Sequence, residues 1–211
     1  MSKIAEISSA VERGKSKEIE ALVLSALDAG ESAETILNDG LMSAMAIVGQ
    51  KFQANEIYVP EMLIAAKAMQ KGVETIKPHF AGQSVSKYGK FIIGTVEGDL
   101  HDIGKNLVAL MVEAAGFEVI DLGVDVSPEK FVEAVKEHPD CKLVGASALL
   151  TTTMGALKTT VDALADAGCK SQVKIIVGGA PVTQGFADEI GADGYTADAG
   201  SAAVKAVELV S

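Results

Sequence analysis

Between residues 97 and 106 the chain reads Glu97-Gly98-Asp99-Leu100-His101-Asp102-Ile103-Gly104-Lys105-Asn106. Asp99-x-His101 places a carboxylate next to an imidazole with one residue between them. Such an acid can fix the tautomer of the histidine and raise its strength as a single metal ligand. The acids Glu97, Asp99 and Asp102 could instead gather a hard cation, or serve as a magnesium-dependent phosphoacceptor. The chain lacks the late lysine expected opposite an acceptor aspartate. Helix capping or a solvated loop is the plain reading of the bare pattern. Gly94, Gly98 and Gly104 do not fit GxGxxG, and no GxxxxGK[ST] occurs, so dinucleotide and P-loop chemistry are rejected.

Two more segments carry unusual residue types. Ser147, Thr151, Thr152 and Thr153 follow an apolar run, and buried hydroxyls there must find partners. Helix capping by Thr151 or Thr152 competes with a hydroxyl row facing a ligand. No basic residue accompanies them, which argues against serine nucleophile chemistry. Gly178-Gly179-Ala180-Pro181 reads as a tight turn, or as a gap where a flat ring could enter. His79 and His138 read as surface residues. Cys141 and Cys169 lack the partners of a zinc site and read as structural.

The elements that position these segments follow from periodicity. Residues 1–86 read as helix. Ile4, Ile7 and Val11 form one stripe, and Ile19, Leu22, Val23, Ala26 and Leu27 a second that Gly30 stops. Asn38 and Asp39 sit where a third helix could be capped. Its stripe is Leu41, Met45, Val48 and Phe52. Pro60 opens another helix, with Met62, Ala65, Met69, Val73 and Ile76 facing inward. These make a small bundle. Ala81–Lys90 reads as a linker and hinge. Beyond it, apolar runs at Phe91–Val96, Val119–Leu122, Leu143–Ser147 and Lys174–Val177, with a fifth short strand near Asp193–Tyr195, alternate with helices at Ile103–Ala115, Pro128–Glu137, Thr153–Ala167, Thr183–Ile190 and Ser201–Val210. Apolar strands alternating with amphipathic helices predict a parallel sheet covered on both faces. The expected class is α+α/β: a helical bundle cap at 1–86, then a doubly wound, flavodoxin-like five-stranded parallel-sheet domain at 87–211. Ligands of such sheets bind outside the carboxyl ends of the strands. That directs attention to loops 97–103, 122–127, 147–152, 178–182 and 195–200.

Composition narrows the function classes. The 211 residues carry 18 Lys and Arg against 29 Asp and Glu, a net charge of −11, which argues against binding nucleic acid or an anionic membrane. No apolar run is long enough to span a bilayer, and the first residues hold no secretory run. Two cysteines give no disulfide framework. A cytoplasmic protein is expected. Gly is abundant at 21, whereas aromatics amount to three Tyr and six Phe with no Trp. Small residues let backbone approach backbone, or a bulky ligand.

Taken together, Asp99-x-His101-x-x-Gly104, Ser147-x-Leu149 and Gly178-Gly179, separated by 42 and 28 residues, resemble the cobalamin-binding pattern. That family includes cobalamin-dependent methionine synthase, base-off mutases and the corrinoid proteins of methyltransferase systems. The helical half resembles the cap of the methyltransferase branch. The resemblance implies that His101 replaces the cofactor's own lower base on cobalt, with Asp99 bonding the imidazole and Thr153 ending a proton relay. It implies that Asp102, Ile103 and Gly104 approach the corrin. Ser147, Leu149, Thr151, Gly178, Gly179, Tyr195 and Thr196 would contact the displaced nucleotide tail, the glycines opening space for its base. Phe52 and Val59 would shield the upper face of cobalt. The valine stands where the family's methionine synthase has leucine.

The implied activity is methyl transfer through a cobalamin or related corrinoid that cycles between Co(I) and methyl-Co(III). With no length left for a barrel, the chain is expected to be a non-autonomous carrier. Its implied partners are a substrate:corrinoid methyltransferase, a second methyltransferase using tetrahydrofolate or coenzyme M, and a reductive activating protein. Methanol, methylamines and methoxylated aromatics are the donor classes. A cobalamin-binding sensor and the small subunit of a cobalamin-dependent mutase are the alternatives.

Overall fold

A computed structural model describes residues 2–80 and 86–211. The chain divides into two compact units, one of Met1–Lys87 with Ala114–Gly116, the other of Tyr88–Glu113 with Phe117–Ser211. Of the expected linker, residues 81–85 lie outside the described residues, and Lys90 is the first residue of a strand. Among the described residues no helix is long and apolar enough to cross a membrane.

The first unit is helical. α1 (Lys3–Glu12) and α2 (Ser16–Asp28) pack on each other, and α2 packs along α5 (Val59–Ile76). Gly30, at φ 89°, lies just past the end of α2, where its left-handed backbone is tolerated. The next helical run starts at α3 (Ala33–Thr35), continues through a π-helical stretch Ile36–Met42, and ends as α4 (Ser43–Gln53). Asn38 and Asp39 are therefore inside the helix, not at its cap. Ser32 caps instead, its Oγ accepting from Thr35 N–H at 3.0 Å. The π-helical stretch turns Ile36, Leu37 and Leu41 into the core, and Leu41 fills the space over Gly72 of α5. Pro60 lies in the first turn of α5, and Met62, Ala65, Met69 and Ile76 are buried as their spacing predicts.

The second unit is a parallel sheet in the order β2-β1-β3-β4-β5. The strands are β1 (Lys90–Thr95), β2 (Glu118–Asp121), β3 (Cys141–Ser147), β4 (Lys174–Gly178) and β5 (Gly194–Tyr195). Alternation divides their side chains between two faces. Ile92, Val144 and Val177 meet α7 (Pro128–Glu137), α8 (Met154–Asp166) and α9 (Gln184–Glu189). Phe91, Ile93, Leu143 and Ile176 meet α6 (Ile103–Ala114) and α10 (Ala199–Val210). The last helix begins two residues earlier than its apolar pattern suggests, because Asp198 caps it and accepts from Ser201 N–H at 2.8 Å. Thr153 belongs to a short 3-10 turn, Thr151–Thr153, ahead of α8. Cys141 and Cys169 are free and buried.

Two strand glycines are dictated by packing. A Cβ on Gly94 would lie 2.8 Å from Cζ of Phe131, and one on Gly145 would lie 2.6 Å from Cζ of Phe91, across the other face. Gly145→Ala should therefore overpack the α6–α10 face and cost about 1–3 kcal/mol in denaturant unfolding. Adding Phe91→Leu should restore part of that loss. A double variant no more stable than Gly145→Ala would show that the clash is not the cause.

Candidate functional site

β1 lies between β2 and β3, so the connections leaving β1 and β3 diverge to opposite faces and open a crevice at their carboxyl ends. The loop after β1 enters it. Asp99 is 0% exposed, and both its carboxylate oxygens are engaged. Oδ1 lies 2.7 Å from His101 Nδ1 and accepts from the His101 main-chain N–H at 3.1 Å. Oδ2 accepts from the N–H groups of Leu149 at 2.7 Å and Leu150 at 3.3 Å, and from the Thr153 hydroxyl at 2.8 Å. Burial by itself would raise the pKa of Asp99. The bonds from Leu149 N–H, the His101 ring, the Thr153 hydroxyl and His101 N–H outweigh it and hold the carboxyl well below the usual range. An ionised Asp99 only accepts, so the ring proton belongs on Nδ1 and Nε2 is the nitrogen with a free lone pair. The His101 side chain is 49% exposed.

Thr153 also lies 2.9 Å from the Leu150 carbonyl, which competes with Asp99 for its one proton. The structure thus brings His101, Asp99 and Thr153 into one hydrogen-bonded row. It leaves Asp99 unsuited to phosphoacceptance or to holding a solvated cation, since the carboxylate is buried and saturated with donors. Asp102, another acid of the loop, accepts from the Asn106 side chain at 3.1 Å.

Beside this row a pocket of about 540 Å³ runs between the α6–α10 face and the strand ends. His101, Asp102, Ile103, Gly104, Ser147, Leu149, Gly178, Gly179 and Thr196 all line it. Thr151 and Tyr195 do not. Thr151 sits exposed on its 3-10 turn, and Tyr195 packs into the core on the opposite face, following the alternation of β5. The glycines play different parts. A Cβ on Gly179 would stand 1.8 Å from the Ala148 carbonyl, so its bareness serves close backbone packing at φ 124°. A Cβ on Gly104 would meet nothing, which leaves that edge open to a ligand. In the helical unit Phe52 is half-buried near the end of α4, and Val59, 38% exposed, begins α5.

Sequence reasoning missed a second polar cluster. Lys105 is buried at the pocket wall, where its ammonium pairs with Asp121 at the end of β2 and donates to Asn106 Oδ1. Asn106 in turn donates to Asp102. The signal available was a lysine in the first turn of its helix and a strand that ends in aspartate.

Two family models describe the chain: one B12 binding domain matches residues 89–208 and another matches residues 3–77. The chain belongs to the B12-binding family. This B12-binding chain is 42% identical over 208 residues to dimethylamine corrinoid protein 2 of Methanosarcina mazei, covering 98% of this chain and 96% of that one. Among solved structures it resembles a cobalamin-binding protein from Desulfitobacterium hafniense, with TM-score 0.81, 31% identity and coverage of 99% and 98%. It also resembles the methanol:cobalamin methyltransferase complex of Methanosarcina barkeri, with TM-score 0.85, 30% identity and coverage of 99% and 79%.

The residues of this B12-binding chain fit a corrinoid. One imidazole nitrogen is free beside exposed apolar side chains, Leu100 at 71% and Ile103 at 85%, which suit the face of a large ring. The adjoining pocket suits a tail.

The buried carboxylate should also be visible in acid. Because Asp99 titrates lower in the folded protein than its ordinary 3.8, its contribution is complete above that range and fades as the pH falls through and below it. Asp99→Asn should lose about 1–3 kcal/mol at neutral pH. The gap to wild type in urea unfolding should narrow on acidification, and a gap independent of pH would contradict this origin.

Proposed function

We propose that this chain is a corrinoid methyl carrier of a multicomponent methyltransferase system and that His101 is its axial cobalt ligand. The observation that carries the reading is the His101 ring itself, with Nδ1 held 2.7 Å from a buried Asp99 and Nε2 left as a donor at the mouth of the pocket. The relatives support it: the Methanosarcina mazei protein is named a dimethylamine corrinoid protein, and the barkeri complex is a methanol:cobalamin methyltransferase.

When bound, the corrin supplies a cobalt centre that accepts and releases a methyl group. The chain's own residues then have separate tasks. His101 Nε2 would hold the cobalt through its lone pair. Asp99 would keep the proton on Nδ1, so that the Nε2 lone pair is the one left for cobalt. Thr153 can give its one proton to Asp99 or to the Leu150 carbonyl, and the N–H groups of Leu149 and Leu150 hold the Asp99 charge in either case. Ser147, Leu149, Gly178, Gly179 and Thr196 receive the nucleotide tail. Gly104 lets the ring edge approach, with Asp102 and Ile103 beside it. By the family resemblance, Phe52 and Val59 would shield the cofactor's reactive cobalt from water and oxidants, the shorter valine giving a looser cover.

The carrier is not an autonomous enzyme. It works with methyltransferase components: one that loads the methyl group and one that passes it to tetrahydrofolate or coenzyme M. A reductive activating protein would restore cobalt that has lost its reactive state. Methylated amines are the donors the relatives' names favour. Two free thiols suit a cytoplasmic setting. A mutase subunit is less well supported, since the helical half matches its own B12-binding model and bears Phe52.

The decisive measurement is electron paramagnetic resonance of the protein loaded with cob(II)alamin. The axial nitrogen coupling should change from a triplet to a doublet when histidine is labelled with nitrogen-15. His101→Ala should abolish that response while tail-dependent cofactor binding persists. An unlabelled pattern in wild type would mean that the cofactor's own base holds the cobalt. A second outcome concerns the shield: Phe52→Ala should speed oxidation of the reduced, loaded protein several-fold in stopped-flow, and an unchanged rate would remove Phe52 from that role.

A further inference from the structure

A loop that must present one imidazole at one place has to be held by its main chain as well as by the ring. Thr95, the last residue of β1, is 0% exposed. Its hydroxyl lies 2.8 Å from the His101 carbonyl and 3.1 Å from the Ser147 hydroxyl. Threonine has one proton and a carbonyl can only accept, so Thr95 donates to His101 and Ser147 donates to Thr95. Valine would fill the same volume in this apolar strand, and a buried hydroxyl without a partner would be unfavourable there.

The other flank is held by Asp125 in the loop after β2. Its N–H donates to the Asp99 carbonyl at 3.0 Å, and its Oδ1 accepts from Gly98 N–H at 2.7 Å. Asp125 reaches both groups with φ at 53°, in the left-handed region that non-glycine residues rarely occupy. Gly98, at φ 79°, supplies the matching bend. The main chain on either side of Asp99 is thus fixed at Gly98, at Asp99 itself and at His101, by two residues whose bonds to the loop all go to its main chain.

We infer that Thr95 and Asp125 are positioning residues that set His101 for axial ligation before the cofactor arrives. The inference rests on the reading of His101 as the cobalt ligand. Without these anchors the loop would have to be ordered on binding, and the entropy of that ordering would weaken ligation.

The probe is diaquocobinamide, which has the corrin ring and cobalt but no nucleotide tail, titrated against the full chain by absorbance. Its binding reports ligation separately from the tail pocket. Thr95→Val and Asp125→Gly should each raise its Kd roughly tenfold, the scale of one lost hydrogen bond. Thr95→Ser keeps the hydroxyl, and Asp125→Asn keeps an acceptor and tolerates positive φ; both should stay within about twofold. In a His101→Ala background the Thr95 and Asp125 variants should add nothing. Wild-type binding in Thr95→Val and Asp125→Gly, or equal weakening with and without His101, would overturn the inference while leaving His101 as ligand. A wild type that binds no better than His101→Ala would overturn both. If Thr95→Val fails to fold by circular dichroism, Asp125→Gly, whose side chain is exposed, carries the test alone.

Discussion

One buried negative charge organises the second unit. An ionised carboxylate withdrawn from water is unfavourable unless donors replace its hydration. Asp99 finds them in the main chain at Leu149 and Leu150, in the Thr153 hydroxyl, and in both the ring and the N–H of His101. Those donors come from two loops, after β1 and after β3. The charge therefore ties together the two strand ends that border the crevice, and the imidazole is oriented as part of the same set of bonds.

The topology supplies the place for this arrangement. In the order β2-β1-β3-β4-β5 the chain leaves β1 toward one side and β3 toward the other, so the carboxyl ends of those strands are not roofed by a helix. Small residues keep the crevice open and the backbone close-packed. Gly179 lies against the Ala148 carbonyl, and Gly145 accepts the ring of Phe91. The pocket wall on the α6–α10 face is continuous with an apolar core, which gives an organic tail a dry surface. At its rim Lys105 is neutralised by Asp121, so a cation is buried there without being left unpaired.

The helical unit follows different physics. No charged side chain is fully buried among its described residues, and its form comes from apolar stripes and tight joints. The π-helical stretch Ile36–Met42 shifts the phase of the long helical run, so that Leu41 meets Gly72 and the later stripe still faces inward. Phe52 and Val59 flank the turn between α4 and α5, where Asn55 adopts φ 58°. Side chains placed beside such a turn are less deeply packed than those in mid-helix, and both Phe52 and Val59 are partly exposed.

Much of this was legible in the residues. Apolar runs of strand length, and Gly30, Pro60 and Pro128 at helix boundaries, identify a bundle followed by alternating strands and helices. The spacing of Asp99, His101, Gly104, Ser147 and Gly178 resembles the family's pattern, and the matching family models bear that resemblance out. Other features depend on atoms distant in sequence. Asn38 and Asp39 look like cap residues until the π-helical stretch places them inside a helix. Tyr195 looks like a pocket residue until the two-residue alternation of β5 turns it to the other face. Thr95 and Asp125 carry no local signal, since their partners become neighbours only when parallel strands align. The sequence by itself determined the periodicities and the residue types that can do the chemistry. Tertiary structure alone decided which donors surround Asp99 and which backbone groups hold His101, because a hydrogen bond is set by distance in space.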